Sequence, residues 1–194
     1  MSSPSRIYIL VEDNRQQSFI RGFLLMVGIE KRQMVFAPVP DGHGSGKQWV
    51  RRNFAAQAKI CRLRNSRAST SMFAVMDADE LTVARCLSDL NDELIKSGQQ
   101  SLDNDHDRIA RLIPKWNIET WILFLTADED AQLSIKEGQN YKDSKKSQQW
   151  DQLVPRSSAA IYALTRPGAA MPENLIGSLQ TGLKEIPRAL SVRR

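Results

Sequence analysis

The carboxylates Glu12, Asp77 and Asp79 follow directly on apolar runs, Ile7-Tyr8-Ile9-Leu10-Val11 in the first case and Met72-Phe73-Ala74-Val75-Met76 in the second. A lone acid after a strand is usually a loop residue or a helix cap. Acids at two strand ends, one pair with Asp-x-Asp spacing, are a different matter. In an extended segment, side chains two residues apart share a face, so Asp77 and Asp79 can point the same way. If the two strands are neighbours, all three carboxylates meet at one rim of a sheet and repel each other unless a cation lies among them. Hard oxygen donors select Mg²⁺ or Mn²⁺ over zinc. With two histidines in 194 residues, histidine-rich metal centres are excluded, and Cys61 and Cys86, which form no CxxC pair, read as small core residues rather than a disulfide or zinc site. Ser-His-Asp hydrolysis has few ways to form from His43 and His106.

The elements that would position these acids are legible from periodicity. Ile7 to Val11 is continuously apolar, as a strand covered on both faces is. Phe19, Ile20, Phe23, Leu24 and Val27 follow at helical spacing, with Gly28 suited to the helix end. A second strand is expected from Met34, with Pro38 marking either its end or a sheet edge. The turn-rich Pro40-Asp41-Gly42-His43-Gly44-Ser45-Gly46 leads into a helix from about Lys47 to Leu63. After the third strand, Val83, Leu87, Leu90 and Leu94 mark an amphipathic helix. Ile109 to Ile113 reads as a fourth strand, and Ile118, Trp121, Ile122 and Leu125 as the stripe of another helix. Strand and helix thus alternate, which predicts an α/β fold with a parallel sheet of about four strands flanked by helices. In such sheets ligands bind beyond the carboxyl ends of the strands, where the acids sit.

Residues 1–127 are expected to form this catalytic domain, and residues 128–194 a polar loop and a mainly helical extension packing on it. The last helix is expected to use Leu175, Ile176, Leu179, Leu183 and Ile186 and to stop at Pro187. No apolar run approaches the roughly 20 residues needed to cross a bilayer, and the polar N-terminus does not read as a secretory leader, so a cytoplasmic protein away from membranes is expected.

The pair Ile9-Leu10-Val11-Glu12-Asp13 and Val75-Met76-Asp77-Ala78-Asp79 resembles the Toprim domain of topoisomerases, primases and OLD-type nucleases, which has a glutamate after its first strand and an Asp-x-Asp after its third. The resemblance covers roughly residues 6–125 and looks closest to small stand-alone Toprim-like proteins encoded beside ATPases in prokaryotic defence systems. There a proline-led segment is similar to Ile113-Pro114-Lys115-Trp116-Asn117-Ile118-Glu119-Thr120-Trp121. That likeness implies a Rossmann-like Toprim fold and a Mg²⁺ (or Mn²⁺) site of Glu12, Asp77, Asp79 and Glu119, with Asn117 capping the helix that carries Glu119. It also implies nuclease chemistry on DNA or RNA, with Glu12 as general base, general acid or ligand, and an ATPase partner in antiviral defence. Lys47 or Lys115 would neutralise developing charge. Asp13 stands where the family usually has a small residue, and either enlarges the acidic cluster or caps the next helix.

The alternatives are a non-catalytic regulatory or scaffold subunit, and topoisomerase- or primase-like phosphotransfer. None of Tyr8, Tyr141 and Tyr162 has a supporting motif for a topoisomerase nucleophile. Gly42-His43-Gly44-Ser45-Gly46-Lys47-Gln48 fails the P-loop pattern, because the glycines are too close and Gln48 replaces the Ser/Thr. Asp103, Asp105, His106 and Asp107 lack the glycine and terminal glutamate of an EF-hand. Trp49, Trp116, Trp121 and Trp150 can stack bases but more commonly serve a core, and the arginines of the tail, Arg188, Arg193 and Arg194, can reach a phosphate. Homo- or hetero-oligomers are compatible with all of these readings.

The net charge of +5 is unevenly spread. From Lys47 to Arg67 there are seven basic residues and no acid. At 100° per residue, Lys47, Arg51, Arg52, Lys59 and Arg62 fall within a sector of about 140°. A solvated helix normally mixes signs, so Arg51, Arg52, Lys59 and Arg62, with Lys115, are the expected contacts to a nucleic-acid backbone. Neutralising Arg51, Arg52 and Lys59 together is expected to weaken nucleic-acid binding and flatten its salt dependence in a titration from low to high NaCl. An unchanged slope would assign that face to protein or solvent.

Overall fold

The computed structural model describes residues 4–38, 46–65, 69–102, 107–142 and 149–190. His43 and most of its glycine-rich loop, Arg67, Asp103, Asp105, His106 and the arginines at 193 and 194 lie outside the described residues.

Four strands, β1 (Arg6–Leu10), β2 (Met34–Phe36), β3 (Thr70–Val75) and β4 (Ile109–Leu112), form one parallel sheet in the order β2-β1-β3-β4. The helices between and after them are α1 (Asn14–Met26), α2 (Gly46–Asn65), α3 (Val83–Lys96), α4 (Ile118–Thr126), α5 (Glu129–Ser134), α6 (Trp150–Leu164) and α7 (Gly177–Leu190). The chain is therefore an α/β protein, and period-two alternation divides its core in two. Ile7, Ile9, Phe73, Val75, Ala110 and Leu112 face a cluster shared with α1, α4, α6 and α7. Leu10, Met72, Ala74 and Ile109 face the other side, against α2 and α3. Every residue of β3 is buried, as expected of an inner strand covered on both faces.

Expected and observed bounds differ in a few places. The second strand keeps only Met34–Phe36, since it lies at the sheet edge and has one partner. The polar stretch after residue 127 contains the short helix α5, capped by Asp128 Oδ1 on Ala131 N at 2.8 Å. The last helix does not stop at Pro187 but runs to Leu190. A proline there forfeits one intrahelical bond, yet Ile186 and Ala189 on either side are buried in the core and hold the helix down.

The other edge of the sheet is covered. Glu185 on α7 accepts from Arg111 N at 3.1 Å, so a donor of β4 that would otherwise face outward is satisfied. The same carboxylate takes Arg111 Nε at 3.1 Å and Nη2 at 3.0 Å, and Arg188 Nη1 lies at 3.3 Å. Gly182 lets α7 approach the Trp121 ring, whose carbon would sit 2.6 Å from a Cβ there, while Trp121 Nε1 donates to Ser178 Oγ at 2.8 Å. Glu185→Ala leaves a buried guanidinium and a strand N–H unpaired, and is expected to cost about 3–5 kcal/mol in urea denaturation. Glu185→Gln, which keeps one acceptor oxygen and the side-chain volume, should cost less.

Candidate metal centre

Parallel pairing of β1 with β3 brings the two acidic strand ends together. The register Leu10↔Ala74 sets the residues that follow side by side, and Glu12 Oε1 accepts from Asp77 N at 2.9 Å. The Asp77 side chain is 1% exposed. Its Oδ1 accepts from Gln16 Nε2 at 2.9 Å, and Gln16 Oε1 accepts in turn from Glu12 N at 2.9 Å. Asp77 Oδ2 accepts no hydrogen bond; the Lys142 ammonium is 3.6 Å from it.

Glu119 lies in the first turn of α4, whose N-cap is Asn117 accepting from Thr120 N at 3.3 Å. Its carboxylate is fully buried. Oε1 accepts from Arg15 Nη1, while Oε2 accepts nothing. The guanidinium of Arg15 also lies over the Trp150 ring at 4.9 Å, which fixes it from the other side. Asp13 is the N-cap of α1, accepting from Arg15 N at 2.9 Å and Gln16 N at 2.8 Å. It therefore caps, and remains close enough to bias its acidic neighbours.

Asp79 departs from the extended geometry expected of an Asp-x-Asp strand end. Its φ of 53° is left-handed, and its carboxylate pairs with Lys47 Nζ at 3.2 Å. Lys47 also donates to Ala78 O at 2.7 Å, and Lys115 Nζ donates to Asp79 O at 2.8 Å and Leu81 O at 2.9 Å. Two lysines from different elements thus hold the loop after β3 by its carbonyls. Gly46 makes the approach of α2 possible, since a Cβ there would stand 2.9 Å from both the Cβ and the carbonyl oxygen of Glu12. Lys47, Asp79, Trp116, Asn117, Asn140 and Lys142 line an open cleft of about 410 Å³ beside the acids.

Burial pushes the Glu12 carboxyl up to about 7, with Asp79 and Asp13 adding to the rise and the Asp77 N–H and Lys47 opposing it. Burial, then Glu12, hold Asp77 well above the ordinary carboxylate range; Lys142 opposes this, while Asp13 and Glu119 add to it. Burial alone would lower Lys142, but Asp77, Glu119, Asp13 and Glu12 together raise it. The donor set suits a hard cation, since buried carboxylate oxygens on Asp77 and Glu119 lack hydrogen bonds. Among the described residues, however, no three acidic, histidine or cysteine side chains stand in mutual geometry to hold one ion.

The basic face of α2 is largely engaged within the chain. Arg51 pairs with Asp89 at 3.2 Å, and Arg62 with Asp107 at 2.7 Å; Lys47 is committed to the loop after β3. Arg52 and Lys59 are exposed. Gln16, Arg15, Lys142 and Gly46 are absent from the sequence-based site. Gln16 carried a signal, since it is the polar member of the stripe that continues through Phe19, Ile20 and Phe23. Arg15 and Lys142 carried none, because only tertiary packing brings them to the acids.

No protein-family model matches this chain, and no curated protein matches it. Among solved structures it is similar to the C-terminal region of the OLD protein of Xanthomonas campestris pv. campestris, at 14% identity and a TM-score of 0.40, over 95% of each chain.

Because Glu12 holds its proton more tightly folded than unfolded, its contribution to stability is full below its ordinary 4.5 and is lost as pH rises through about 7. Thermal and urea melts in chelator should therefore show stability falling across that window, by on the order of 2 kcal/mol from this group. Glu12→Gln keeps an acceptor for Asp77 N and should flatten the fall. An unaltered slope in Glu12→Gln would remove Glu12 as its source.

Proposed function

We propose that the chain is a Mg²⁺- or Mn²⁺-dependent nuclease, or the nuclease subunit of a complex, with Glu12, Asp77, Asp79 and Glu119 as ligands. The observation that supports this is a pair of buried carboxylate oxygens without hydrogen bonds, on Asp77 after β3 and on Glu119 in the first turn of α4, with a protonatable Glu12 beside Asp77. Burial without full pairing is costly in a merely structural carboxylate, and a cation relieves it. Bound there, the ion would supply Lewis acidity and lower the pKa of a water.

The chain's own residues do the rest. In the metal-free chain Glu12, pushed up to about 7 by burial, takes or gives a proton near neutral pH; as a ligand it would instead be ionised. Gln16 holds Asp77 Oδ1 and the Glu12 backbone in one arrangement, so both acids keep their relative position when a ligand arrives. Lys47 lines the edge of the cleft, 3.2 Å from Asp79, and would balance charge on a phosphate there only by giving up part of its hold on the loop after β3. Arg52 and Lys59 offer exposed cations to a DNA or RNA backbone. An ATPase partner, a defence role and cytoplasmic residence enter the proposal through the Toprim resemblance alone. None of the described helices is long and apolar enough to cross a membrane.

One observation favours a second reading. The acids are neutralised by Lys142 and Arg15, and no three of the described ligand-type side chains share an ion-ready geometry. A scaffold subunit that has kept a degenerate site would look like this. The readings separate in a cleavage assay on a mixed DNA and RNA panel with Mg²⁺, Mn²⁺ or chelator, run with and without any neighbouring ATPase. The nuclease reading expects ion-dependent cleavage that Glu12→Gln and Asp77→Asn each reduce by about 100-fold or more while the fold is retained. Absence of cleavage throughout while partner binding persists supports the scaffold instead, and cleavage indifferent to both substitutions removes these acids as its source.

A further inference from the structure

The acids at the rim of the sheet already have a cation beside them, and it belongs to the chain. Lys142 Nζ lies 3.6 Å from Asp77 Oδ2, an oxygen that takes no hydrogen bond and whose side chain is 1% exposed. The Lys142 side chain is 43% exposed, so its ammonium meets the buried acid from the surface. The segment that carries it is clipped in place. Asn140 Oδ1 accepts from Lys142 N at 2.9 Å and from Asn117 Nδ2 at 2.8 Å. Asn117 is itself buried and caps the helix that begins with Ile118 and Glu119. One asparagine thus ties the lysine to the helix bearing the second buried acid.

The geometry points to Lys142 as a resident counter-ion that competes with the divalent cation for Asp77. This rests on the metal-site reading above and adds a regulatory property to it. An ammonium and a divalent ion drawn to the same carboxylate repel each other, so each weakens the other's hold on Asp77. The bound ion would therefore favour an ammonium turned out into the adjoining cleft, which Lys142 lines together with Lys47 and Asp79, and the half-exposed side chain leaves that direction open. The chain then holds a self-neutralised form and a metal-loaded form, and Asn140 biases the choice toward the first.

The test is Mn²⁺ binding to the full chain by calorimetry, paired with melting temperature with and without Mn²⁺. Lys142→Met removes the competing charge and keeps much of the stem. It should bind Mn²⁺ at least about tenfold tighter than the unmodified chain, melt lower in chelator, and gain more from added Mn²⁺. Lys142→Arg should restore weak binding, and Asn140→Ala should fall between the two. Asp77→Asn sets the background. Should the unmodified chain show Asp77-dependent Mn²⁺ binding that Lys142→Met leaves unchanged or weakens, the competition is overturned while the metal site stands. No Asp77-dependent binding in either protein overturns the metal site and the competition with it. A lower melting temperature alone, with no gain in affinity, reduces Lys142 to a structural ion pair.

Discussion

Asp77 ends an inner strand with its carboxylate shielded from water, and the groups around it are arranged about the cost of that burial. Removing a charged carboxylate from solvent is unfavourable by several kcal/mol unless hydrogen bonds and opposite charge replace the lost water. Here the replacement is partial. Gln16 satisfies one oxygen, Lys142 stands off the other at 3.6 Å, and the backbone N–H of the same residue is given to Glu12. Glu12 therefore depends on Asp77 for its position and raises its proton affinity in return. Neither acid can be described without the other.

That mutual dependence makes the rim a poor source of stability and a good place for a ligand. The hydrophobic clusters on the two faces of the sheet and the buried Arg111–Glu185 pair at its edge hold the fold without help from the acids. At the rim the acids are paired with Lys142 and Arg15, yet one buried oxygen of Asp77 and one of Glu119 take no hydrogen bond.

The basic stripe of α2 shows how an even-looking surface charge can be consumed internally. Arg51 ties α2 to α3 through Asp89, and Arg62 closes on Asp107 beside the start of β4. Lys47 at the head of the helix serves the loop after β3. What a helical wheel presents as one face is, residue by residue, a set of tertiary ties with Arg52 and Lys59 left outward.

The alternation of strands and helices, the parallel sheet, the acidic strand ends and the Asn117 cap were all legible in the sequence, because periodicity and capping are local properties of a few consecutive residues. Pro187 misled for the same reason: a local helix breaker was outweighed by the buried contacts of Ile186 and Ala189. The adjacency of β1 and β3, the left-handed turn at Asp79, the bridging by Gln16 and the arrival of Arg15 and Lys142 were decided by the tertiary structure alone. Each joins groups far apart in the chain or depends on the space left by packing. Residue type determines which atoms can hold charge, and the folded arrangement determines which opposite charge each one meets.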